Sequence, residues 1–166
     1  MIRRIPLLLL FAAFGLPLAG CGDDRKRPSS ADRAAMDRFA EGTRKWRIEG
    51  TEPWNSAFKR GTPALIAEGP ALEAKMESAI RLISSGANGV TEPTIRRSLQ
   101  RLAATYRGKL AAIRQIDRAG YSMAAIQAGL SELAKQGTAT KRAWEAYVAQ
   151  ARKTWNANPL AGLDLG

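Results

Sequence analysis

Glu73 and Glu77 stand four residues apart in a stretch of helical periodicity, so their carboxylates fall side by side on one helix face. Two neighbouring carboxyl groups are the equipment of glycoside cleavage, one donating a proton to the leaving oxygen and the other acting as base or nucleophile. Like charges at this spacing cost about 0.2–0.5 kcal/mol and push one partner toward its protonated form. Arg81, four residues beyond Glu77, offers an ion pair that would make the same glutamates a solvated flank of the helix. Other chemistry is poorly supplied. The chain has no histidine, which excludes Ser-His-Asp and Cys-His nucleophiles and removes the commonest metal and haem ligand. Gly86-Ala87-Asn88-Gly89 has neither the lysine nor the preceding strand of a phosphate-binding loop. No cofactor and no metal site is expected.

The remaining reactive group is Cys21, the only cysteine among the 166 residues. Arg3 and Arg4 precede an apolar run over residues 5–18 that Pro6, Gly15 and Pro17 interrupt. That run is short of the roughly 20 residues of a spanning helix and has the charge-then-apolar order of a secretory leader. It ends in Leu18-Ala19-Gly20-Cys21, which resembles the lipobox of bacterial lipoproteins, a likeness confined to the first twenty-odd residues. The resemblance implies cleavage between Gly20 and Cys21, a diacylglyceryl group on the Cys21 sulfur and acylation of the new amino group. One acyl chain holds weakly, at about 0.8 kcal/mol per buried methylene, whereas two or three hold almost permanently. In a Gram-negative envelope the family's inner-membrane retention signal is an aspartate directly after the cysteine. Gly22 stands there, which favours the outer membrane with the domain facing the periplasm.

Charge supplies the general lead. The formal net charge is +11, two units of which leave with Arg3 and Arg4. Arg96, Arg107, Arg114 and Arg118 share one helical face, with Arg97 and Arg101 further round. Such a face attracts lipid head groups, anionic envelope polymers or acidic proteins. Export argues against nucleic acid as partner. Trp46, Trp144 and Trp155 lie on apolar stripes and belong to a core, whereas Trp54 sits in a connector beside Pro53, Asn55 and Phe58 and is the candidate exposed contact.

The elements that position these residues follow from spacing. Residues 1–20 form the leader, 21–30 the lipidated cysteine and a polar tether of at most about 30 Å, 31–156 one helical domain, and 157–166 an irregular tail. A first helix starts after Ser30 as cap and runs to about Ile48, with Met36, Phe39, Ala40, Thr43 and Trp46 inward. A short irregular or helical connector follows, through Lys59. Gly61-Thr62-Pro63 opens a second helix reaching about Ser85, kinked at Pro70 but in phase across it, since Leu65, Leu72, Met76, Ala79, Ile80 and Ile83 share one sector. The glycines at 86–89 read as a turn. A third helix from Thr91-Glu92-Pro93 carries Ile95, Leu99, Leu102, Tyr106, Leu110 and Ile113, with Lys109 and Asp117 inside or at the edge of the same sector.

A further stripe, Met123, Ile126, Leu130, Leu133, Trp144, Tyr147, Val148, Ala151 and Trp155, is out of phase with the third helix by about 150°, so the chain must break at Gly120. Ser122 caps a fourth helix that keeps its phase through Gly137 for about 50 Å. The expected fold is all-α: an antiparallel bundle of three long helices plus one shorter N-terminal helix. The expected function is that of a lipid-anchored, non-catalytic binding or accessory component of an envelope or secretion assembly. A small peptidoglycan hydrolase using Glu73 and Glu77 is the alternative.

Overall fold

The computed structural model describes residues 27–46 and 52–156, with the side chains of 52, 54, 55 and 58 also outside the described set. The described chain is all-α: α1 (Ser30–Trp46), α2 (Glu52–Arg60), α3 (Thr62–Gly89), α4 (Pro93–Arg118) and α5 (Met123–Trp155). The last three are the long helices of the bundle and α1 is the shorter N-terminal one. The connector that follows α1 adopts the helical form of the two left open, as α2.

Local signals account for most boundaries. Ser29 rather than Ser30 caps α1: its Oγ accepts from the Asp32 amide at 3.0 Å, and its carbonyl accepts from Arg33 N at 2.9 Å. Gly61, at φ +85°, is the residue before α3. Pro70 does not break α3, which runs through it. The carbonyl deprived of its amide, that of Ile66, belongs to a residue exposed enough for water to take the bond. Glu92 caps α4 by accepting from Thr94 N, and Ser122 caps α5 by accepting from Ala125 N at 3.3 Å. Between them Gly120 (φ +62°) and Tyr121 (φ +56°) turn the chain through two left-handed residues. Helix α5 then continues unbroken through Gly137 for 33 residues.

The expected turn at 86–89 is not there. Helix α3 extends to Gly89 and the chain reverses through Val90, Thr91 and Glu92 instead. Two of those glycines serve close approach rather than reversal. A Cβ at Gly86 would lie 2.9 Å from the Phe39 ring, and one at Gly89 would lie 3.0 Å from the Ala35 Cβ. Helix α1 therefore packs antiparallel on the C-terminal half of α3, with the Trp46 indole donating to the Lys75 carbonyl at 3.0 Å further down.

Helices α4 and α5 are also antiparallel and close. Thr140 Oγ1 lies 3.1 Å from Thr105 Oγ1, the Trp144 indole donates to Tyr106 Oη at 3.4 Å, and a Cβ at Gly108 or Gly129 would collide with Gln136 or Ile116. The predicted stripe of α4 is buried along its length. It meets Met76, Ala79 and Ile83 of α3, Met36 and Phe39 of α1, and Tyr147, Ala151 and Trp155 of α5 in one core. Phe39 is wedged between two rings of α5, stacked on Trp144 at 5.8 Å and edge-on to Tyr147 at 5.8 Å. Trp46, Trp144 and Trp155 all pack in or against this core.

The stripe of α5 departs from expectation in its first two turns, where Met123 is 69% and Leu130 41% exposed. The reason is length. Helix α1 has 17 residues against 28, 26 and 33 in the long helices, so it roofs one end of the bundle, and α2 packs on α3 alone. Among the described residues the other end is walled by α3, α4 and α5, with α2 against α3.

Candidate functional site

Glu73 and Glu77 are brought together, and both face α4. Arg114 Nε donates to Glu73 Oε2 at 3.0 Å while its terminal nitrogen donates to Glu77 Oε1. The partner expected from sequence, Arg81, lies farther off, 3.6 Å from Glu77. One guanidinium thus bridges both carboxylates across the α3–α4 seam. The arrangement sets one positive charge between two negative ones, and each carboxylate accepts a hydrogen bond from it.

The arginine face of α4 borders that seam. Arg107 donates to Ser84 Oγ at 3.2 Å, Arg96 Nε to the Val90 carbonyl at 2.9 Å, and Arg118 Nε to the Arg114 carbonyl at 3.2 Å. Arg114 is engaged by glutamates, and among the described residues the other three donate to neutral acceptors. Cys21 and Gly20 lie outside the described residues, as does the Trp54 side chain, although its backbone falls in α2.

Lys109 and Asp117, the two ionisable residues placed near the apolar sector of α4, separate. Asp117 is exposed. Lys109 is half-buried with Nζ 5.0 Å from the centre of the Tyr106 ring, and burial lowers its pKa. It is a snorkelling lysine over an aromatic face rather than a base aimed into a cavity.

The unroofed end of the bundle holds a cleft between Leu65 and Leu72 of α3, Ile113 and Ile116 of α4, and Ile126, Leu130 and Leu133 of α5. Tyr121 closes its floor; Gly69 lacks the Cβ that would meet the Tyr121 hydroxyl at 2.6 Å. Burial, followed by the charges of Asp117 and Glu73, raises the Tyr121 pKa. The cleft is partly open to solvent and has about 30 Å³ of room for water. As a contact surface it is apolar and shallow. Among the described residues no group of three His, Cys, Asp or Glu side chains could hold a metal ion, and no helix is long and apolar enough to cross a membrane.

One polar site escaped the sequence reading. Asp32 is only 4% exposed, and its carboxylate accepts from the Thr91 amide, from Thr91 Oγ1 at 2.8 and 2.9 Å, and from Ser29 Oγ at 2.8 Å. Burial pushes its pKa up, but the bonds from Thr91, Ser29 and the Glu92 amide outweigh burial and hold it below the ordinary value. Ser29-x-x-Asp32 has the spacing of a helix-start box, and that was the available signal. Compared with protein-family models, curated proteins and solved structures, the chain matches none of them.

Proposed function

We propose that this is a lipid-anchored envelope protein whose helical domain acts by binding, as an accessory component of an envelope or secretion assembly. The anchor rests on the lipobox-like Leu18-Ala19-Gly20-Cys21 and the leader before it, and the Gly22 that follows favours the periplasmic face of an outer membrane. The observation that carries binding over catalysis is the Arg114 bridge to Glu73 and Glu77. The residues that a peptidoglycan hydrolase would use are paired with Arg114 across the α3–α4 seam, and the cleft nearby is lined by apolar side chains with a single hydroxyl, that of Tyr121. Anionic polymers, lipid head groups and acidic proteins remain the partners that suit the domain's charge.

The test has two arms. Mass spectrometry of protein made in its own envelope should find a diacylglyceryl thioether on Cys21 and no leader; a free thiol there would refute the anchor. The purified protein should release no fragments from peptidoglycan, whereas release that disappears in Glu73→Gln or Glu77→Gln would establish the hydrolase.

A further inference from the structure

The start of α1, the α3–α4 turn and the end of α5 lie together at one end of the bundle. Asp32 is bonded to Thr91, which places the first turn of α1 against the residues that open α4. Trp144 is level with Tyr106 on the antiparallel pair α4 and α5. Ile95 precedes Tyr106 by as many residues as Trp155 follows Trp144, so the last turn of α5 is level with the first turn of α4. This is also the end from which residue 27 leads back toward Cys21.

Cations collect there. Arg27, Arg33 and Arg38 come from the α1 side, Arg96, Arg97 and Arg101 from α4, and Arg152 and Lys153 from α5; all but the half-buried Arg96 are exposed. The carboxylates at this end are Asp32, buried and saturated by Thr91 and Ser29, Glu92, which caps α4, and Asp37, with the exposed Glu41 and Glu145 about one turn further in. Every ion pair among the described residues lies away from this end: Arg60 with Glu68, Arg114 with Glu73 and Glu77, Arg81 with Glu77, and Lys135 with Glu132. Arg33, Arg38, Arg101, Arg152 and Lys153 make no ion pair at all among the described residues.

We infer that this basic collar seats the domain end-on against an anionic phospholipid surface, with the long helices standing away from the bilayer and the apolar cleft at the far end, presented outward. The inference rests on the proposed Cys21 anchor for its geometry. The segment from Cys21 to Ser29 spans at most about 30 Å when extended, and its described residues, 27–29, lie at the same end of the bundle as the arginines that a head-group layer would attract. A lipid surface fits better than a polymer or an acidic protein because the cations come from three helices that end at one level, as contact with a plane requires, and because the proposed tether holds that end within reach of one. Exposed charges act over about a Debye length, near 8–10 Å in physiological salt, so seating is electrostatic and reversible.

The experiment uses the full chain extracted from producing cells and placed in nanodiscs of phosphatidylcholine alone or of phosphatidylcholine with 30% phosphatidylglycerol. A nitroxide is attached at Ala149→Cys, near the collar, or at Gln127→Cys, near the cleft. In anionic discs the label at 149 should show an oxygen-to-nickel accessibility ratio at least threefold above that in neutral discs, and the label at 127 should not change. The rise should vanish in 0.5 M NaCl and in the triple variant Arg97→Glu, Arg101→Glu, Arg152→Glu. Equal readings in the two discs, or approach of 127 instead of 149, overturn the inference, as does a collar that ignores lipid while binding a soluble polyanion. Failure of the anchor is read separately, as a free thiol at Cys21 by mass spectrometry. The unlipidated chain should then still float with phosphatidylglycerol vesicles and not with neutral ones.

Discussion

Thr91 donates both its backbone amide and its hydroxyl to the buried carboxylate of Asp32, across 59 residues of sequence. The pair fastens the first turn of α1 to the reversal between α3 and α4, and Ser29 completes the set from the cap side. Asp32→Ala should lower stability by about 2–3 kcal/mol, since it leaves the Thr91 donors without their charged acceptor. Thr91→Val, which removes only the hydroxyl, should lower it by about 1 kcal/mol. Urea titrations at pH 7 check both.

The same carboxylate makes stability depend on acid. Because its pKa is held below the unfolded value of 3.8, its contribution is complete above that value and is lost as pH falls through the folded pKa. Wild type should therefore lose its advantage over Asp32→Asn progressively below about pH 4. A constant gap between the two from pH 7 to pH 2 would show that the contacts act through packing alone.

Two glycines in helix interiors should respond in opposite directions to alanine. At Gly86 a methyl group would meet the Phe39 ring at 2.9 Å, and Phe39 cannot move because Trp144 and Tyr147 hold it on the other side. Gly86→Ala should destabilise by about 1–3 kcal/mol in spite of alanine's better helix propensity. At Gly137 nothing lies within 4 Å of the added Cβ, so Gly137→Ala should stabilise by about 0.5–1 kcal/mol. Thermal melts of the two variants beside wild type decide this.

Gly86 also shows where sequence reasoning reached its end. The apolar stripes of α3 and α4 were legible because helical period is a local property, as were the break at Gly120 and the cap at Ser122. A glycine, by contrast, serves either to turn the chain or to admit a neighbour, and only the position of Phe39 decides between the two. The exposure of Met123 and Leu130 was equally hidden, because their pattern is that of a core and whether a fourth helix reaches them depends on how α1 and α2 pack. The glutamate pair was found but its partner was not: Arg81 is close in sequence, whereas Arg114 arrives from another helix. Asp32 was not singled out at all, because its role rests on Thr91, 59 residues away.

The Arg114 bridge should behave as a partly exposed charge contact. Arg114→Gln should lower the melting temperature in low salt and do so much less in 0.5 M NaCl, where mobile ions screen the pair. A double-mutant cycle with Glu73→Gln and Glu77→Gln should show coupling at both positions, since one guanidinium serves both. Coupling to Arg81 should be weaker, in keeping with its longer contact to Glu77.

Lys109 predicts a change at the other end of the pH scale. Burial lowers its pKa, so the folded state disfavours its charged form and carries that penalty at neutral pH. With the folded pKa below the unfolded value of 10.5, the penalty is relieved as pH rises from the folded toward the unfolded pKa, and stability gains over that window. Lys109→Met keeps the aliphatic stem over Tyr106 and removes the charge, so it should match or exceed wild type at pH 7 and lose the alkaline gain. If the methionine variant is instead clearly weaker at pH 7, the ammonium over the Tyr106 ring contributes more than its desolvation removes, and the lysine belongs to the packing of α4 by attraction rather than by tolerance.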